Sequence, residues 1–181
     1  MKPRDVQKHQ LFWETEIEFE RFDEWSEPKA FAFGDMDMLE EKNLGQIAEN
    51  YFRCADVLIE RVLKNDLEDF VAQFPIIYLT RHAVEVMLKR IVLAQSGEPA
   101  GNEHSLHKLA NMVSGVDPWA LRRIQELNAI DPNSEDLRYG GIGERAPAFI
   151  GTELRFFRDA MFALFDHLRA VADASERKAV S

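Results

Sequence analysis

The pattern of apolar and polar positions is most distinctive between Pro75 and Ser96 (PIIYLTRHAVEVMLKRIVLAQS). A proline suited to a first helical turn opens this stretch, and Gly97 and Pro99 follow it. Between them Ile76, Ile77, Leu79, Ala83, Val84, Val86, Met87, Leu88, Ile91, Val92 and Leu93 leave little of the circumference polar. A helix apolar nearly all round belongs in the middle of a bundle. It nevertheless carries Arg81, Glu85 and Lys89 at intervals of four, with His82 beside the first. That spacing draws the three charges into a seam along one edge. Such a seam is a buried ion network, a subunit contact or the wall of a site.

Amphipathic helices are predicted on both sides. Leu44, Ile47, Tyr51, Ala55, Leu58 and Val62 recur every three or four residues, which predicts a long helix over about 37–65. Residues 66–73 read as a short extension or a turn, and GEPAGNE (97–103) as a loop. A short helix is expected over 104–113. A further one is opened by Asp117 as cap and Pro118 at the first helical position, running to about Asn128. The last, with Thr152 as its cap, runs to about Ala174 with Leu154, Phe157, Met161, Leu164, Phe165, Leu168 and Val171 inward. Residues 131–150 have little period and read as a long ordered loop.

Near the start the period changes to two. Trp13, Thr15, Ile17 and Phe19 alternate with Glu14, Glu16, Glu18 and Glu20, and KAFAF (29–33) alternates likewise. The expectation is an arm with an extended or β-hairpin form, docked on its own bundle or on a partner protein, since an apolar face needs a cover. The fold class is all-α: four main helices in a bundle, with this N-terminal arm. Residues 1–35 form the arm, 36–175 the bundle and 176–181 a solvated tail.

Charge refines this picture. The net charge of −10 argues against loose, charge-driven binding to nucleic acid. The acidic excess is concentrated in the first 60 residues, with 15 acidic and 7 basic side chains; residues 61–181 hold 17 and 15, so a local basic cleft is open to them. The single cysteine, Cys54, permits no internal disulfide, which fits a reducing cytoplasm. The start lacks a secretory signal and no run is apolar enough to span a bilayer, so no membrane is expected.

Three segments carry candidate chemistry. Besides the seam, His104 and His107 stand three apart at a helix start; with His82 and Glu85 they are of the residue types that bind metal between helices. The usual repeated Glu-x-x-His is missing, and neither a metal nor a cofactor is assigned. Arg138, beside Tyr139 and three glycines, can offer a planar donor fork to a phosphate or carboxylate, or close onto Glu85. No GK[ST] follows those glycines, so they do not form a phosphate-cradling loop.

In order, YLTRHAVEVMLKRIVL, HSLHKL and DPNSEDLRYG resemble a prokaryotic branch of the HEPN superfamily, whose members show RHA-x-E-x-x-LK, then H-x-L-x-x-L, then D…RY. The resemblance spans about residues 38–172. It implies a four-to-five-helix bundle, a homodimer and a place in toxin–antitoxin or phage-defence systems. Many HEPN proteins are metal-independent ribonucleases with arginine four to six residues before histidine near the last long helix. Here Arg158 and His167 are nine apart and Arg155 and His167 twelve; Arg4 and His9 match the spacing only at the far start. What carries over is Arg81, His82, Glu85, Lys89, His104, Arg138 and Tyr139. The expectation is therefore a binding module for an anionic ligand, RNA or nucleotide, or for a protein partner. The alternative is an atypical ribonuclease with His104 or His82 as acid–base and Arg81 or Arg138 against phosphate.

Overall fold

The computed structural model describes residues 43–132, 134, 137 and 151–180. The expected arm, and Arg138 and Tyr139 in the loop, lie outside these residues. Among the described residues there are five helices and no strand: α1 (Leu44–Leu63), α2 (Asp69–Ser96), α3 (Leu106–Asn111), α4 (Pro118–Ile130) and α5 (Leu154–Val180).

α2 is the hub and packs against each of the other four. Thr80, Arg81 and every residue from Ala83 to Leu88 are buried, so no face of its middle is left to solvent. The amphipathic helices close around it. α1 contributes Ala48, Phe52 and Ala55, α5 contributes Leu164, Phe165 and Leu168, and the smaller α3 and α4 add Leu106, Leu109, Ile124 and Leu127. A satellite cluster of Ile59, Ala72 and Ile76 closes the end where α1 turns into α2.

That turn shows why the hub begins earlier than the sequence predicts. α2 starts at Asp69, not Pro75, and the proline lies inside it. An interior proline lacks the N–H that would bond the carbonyl four residues back and crowds that carbonyl. The turn before it is held by packing of Ala72 and Ile76 against Ile59, a tertiary contact that local sequence does not announce. Pro75 is exposed, so Pro75→Ala removes no packing and restores a backbone donor. Thermal unfolding is expected to show a stabilisation of about 1–3 kcal/mol. A loss of stability would mean that the turn depends on the proline ring.

The other helix ends follow local chemistry. Gly97, at φ 75°, closes α2 in the left-handed region, and its N–H bonds Leu93 O at 2.9 Å. Glu153, rather than Thr152, caps α5: its carboxylate accepts from the N–H groups of Phe156 (2.6 Å) and Arg155 (3.0 Å). These bonds, that of Phe156 above all, hold its carboxyl below the usual carboxylate range. The cap therefore supports the helix above that range and is lost as pH falls through the lowered value. α5 continues six residues past Ala174, because Glu176 and Asp173 grip Arg90 of α2 at 2.7 and 2.8 Å.

Candidate functional site

The charged seam of α2 is folded inward. Arg81 has no exposed surface and Glu85 only 2 %. One turn apart, they pair through Arg81 Nη1 and Glu85 Oε2 at 3.1 Å. Helical spacing alone accounts for that contact.

The remaining guanidinium donors reach across the fold. Arg81 Nε donates to the backbone carbonyl of Asp131 at 2.9 Å, and Nη2 donates to the backbone carbonyl of His104, also at 2.9 Å. One planar fork thus clamps the segment entering α3 and the C-terminal end of α4 onto the hub. Planarity and five fixed donors suit arginine to this task, and a lysine could not reproduce it. Asp131 is itself buried, and its carboxylate accepts from the N–H of Leu137 at 3.4 Å.

Glu85 Oε1 completes the arrangement. It lies 2.8 Å from His104 Nδ1 and 3.2 Å from Lys89 Nζ. A buried carboxylate is costly unless paired and bonded, and this one has three partners. The His104 side chain stays 51 % exposed and that of Lys89 19 %, so the cluster surfaces as one imidazole beside one ammonium.

The backbone around His104 is fixed separately. Glu103 Oε1 accepts from the N–H groups of His104 (3.1 Å) and Ser105 (2.9 Å), and Glu103 Oε2 pairs with Lys108 at 3.1 Å. The bond from Ser105 N–H, then Lys108, draws the Glu103 carboxyl below its ordinary range. From α4, Asn128 Oδ1 accepts from the Ser105 hydroxyl (3.3 Å) and from His107 N–H (3.2 Å). The segment carrying His104 is therefore tied to α2, α3 and α4.

Of the residues singled out from the sequence, Arg81, Glu85, Lys89 and His104 meet. His82 faces α1, where its ring stands edge-on to Tyr51 (centroids 4.4 Å), and lies parallel to Tyr78 one turn earlier on α2 (5.9 Å). His107 contacts Asn111 at 3.2 Å through Nε2. Among the described residues, no three His, Cys, Asp or Glu side chains gather to hold a metal ion, and no helix is long and apolar enough to cross a membrane. Sequence reading missed the carbonyls of His104 and Asp131, since a backbone acceptor has no residue signature. It also missed Glu103 and Asn128; the spacing Glu103, Ser105, Lys108 around a helix start was the signal available for the first.

Between α1, α2 and α5 a water-sized recess of about 10 Å³ lies among Phe52, Asp56, Thr80, Arg158 and Phe162. Arg158, which lines it, bonds Asp56 (2.6 Å) and Glu60 (2.9 Å), a clasp between α1 and α5. No family model, no curated protein and no solved structure matches the chain.

Proposed function

We propose that this chain is a HEPN-like helical domain acting as a homodimeric binding module for RNA or a nucleotide, within a cytoplasmic toxin–antitoxin or phage-defence system. One observation carries the reading. The RHA-x-E-x-x-LK and H-x-L-x-x-L segments meet at the contact of Glu85 with His104, while Arg81 is spent wholly inside the protein. Cleavage without metal calls for an acid–base group together with a cationic donor free to face the phosphorane. The guanidinium of this cluster faces two carbonyls and a carboxylate. What it turns outward is the Lys89 ammonium, which suits holding an anion, with the His104 imidazole as a second polar contact. The near balance of charge beyond residue 60 adds little repulsion of its own toward an anion.

The test is binding of a fluorescent single-stranded RNA and of a ribonucleotide by anisotropy over a salt series. The wild-type chain is expected to bind with affinity falling as salt rises. His104→Ala with Lys89→Gln, folded by circular dichroism, is expected to bind about tenfold more weakly, the loss of one charge-assisted bond from Lys89 and one hydrogen bond at His104. Absence of binding to either probe at low salt overturns the reading. Cleavage of the RNA in chelator by the wild type but not by His104→Ala would replace it with the atypical ribonuclease. Light scattering is expected to give about twice the 20.9 kDa chain mass.

A further inference from the structure

The contact between Glu85 and His104 fixes more than the position of a ring. Glu85 Oε1 accepts from the Lys89 ammonium, a group that only donates, at 3.2 Å. Toward His104 Nδ1, at 2.8 Å, the same oxygen is an acceptor as well. In neutral His104 the ring proton therefore sits on Nδ1, and Nε2 keeps its lone pair. No described residue bonds Nε2, and half of the side chain is exposed. The outward edge of the neutral imidazole is an acceptor, which repels phosphate oxygens and takes a hydrogen bond from a hydroxyl or an N–H.

We infer that His104, aligned by Glu85 as its positioning residue, selects ribose over deoxyribose by accepting a hydrogen bond from the 2′-hydroxyl of the bound ligand. The inference rests on the proposed binding of RNA or a nucleotide and names which part of that ligand this edge reads. The 2′-hydroxyl is the donor that RNA has and DNA lacks. Lys89, beside the ring, meets the phosphate that both share.

Glu85→Gln offers a reversal of the acceptor. Arg81 Nη1 keeps the amide oxygen, the amide NH₂ turns to His104 Nδ1, and the ring proton moves to Nε2. His104→Leu removes the acceptor without disturbing the backbone carbonyl that Arg81 holds.

The experiment measures affinity of the full chain for a single-stranded RNA and the DNA of the same sequence, and for ATP against dATP. The wild type is expected to prefer the ribose form by about three- to tenfold, the worth of one hydrogen bond. His104→Leu, folded by circular dichroism, is expected to bind RNA and DNA equally, and Glu85→Gln, in which the His104 Nε2–H also bonds phosphate oxygens, to show a smaller preference than the wild type. Should Glu85→Gln unfold, His104→Leu decides alone. A preference shown by oligonucleotides and not by ATP places the hydroxyl within a chain; one shown by both places it on a single nucleotide, and either supports the inference. Equal wild-type binding of ribose and deoxyribose forms, or a preference that survives His104→Leu, overturns it while leaving the binding module standing. No binding of any probe overturns both.

Discussion

Arg81→Ala is expected to destabilise the domain by about 3–5 kcal/mol, the usual loss when one member of a buried ion pair is removed. Three acceptors lose their donors together: Glu85 Oε2 and the carbonyls of His104 and Asp131. Glu85 keeps Lys89 and His104, which limits the penalty. For a folded unit of this size the midpoint of thermal unfolding is expected to fall by roughly 10 °C. Lys89→Ala, a partner at the solvent edge, is expected to cost about 1 kcal/mol or less. Arg81→Met with Glu85→Leu sharpens the test. Swapping a simple buried pair for hydrophobes of similar volume is often neutral. Here it is expected to recover only part of the loss, because the two backbone carbonyls still lack donors. Full recovery would show that the pair matters and the clamp on the loops does not. A loss under about 1 kcal/mol on Arg81→Ala would remove the clamp altogether.

Phe165→Ala is expected to cost about 3–5 kcal/mol. Its ring is fully buried on α5 and lies parallel to Phe52 of α1, with centroids 4.4 Å apart. Truncation loses the transfer energy of the ring, opens a cavity against a rigid neighbour and leaves the guanidinium of Arg169, 5.6 Å away, without the ring face. Phe162, three residues earlier, touches the edge of the same Phe52 ring but is 37 % exposed. Phe162→Ala is expected to cost about 1 kcal/mol. Chemical denaturation of both variants reads the contrast; equal losses would contradict the packing that places α1 against α5 through Phe165.

How far the sequence reached follows from the range of each interaction. Arg81 with Glu85, and Glu85 with Lys89, were legible because a helix makes residues four apart neighbours. The inward stripe of α5 and the all-round apolarity of α2 were legible for the same reason, since period alone separates a face from a rod. The meeting of His104 with Glu85 was suggested by residue type and by a resemblance of motifs, not by spacing. Nineteen residues and a Gly/Pro loop separate the two, and no local rule closes that distance. Phe165 was readable as core; its stacking partner on α1 was not.

The chain by itself settled that these residues are helical, which of their faces turn inward, and that charges line one edge of the central helix. Those outcomes depend on backbone geometry repeated every few residues, and each stretch carries the instruction within itself. Only the assembled bundle decided that α2 continues backward through a proline to Asp69, that Arg81 is sealed against two backbone carbonyls, and that His104 is left with one edge in water. Each of these balances a local cost, an interior proline or a buried charge, against contacts from segments far along the chain. That balance exists only when all the partners are in place.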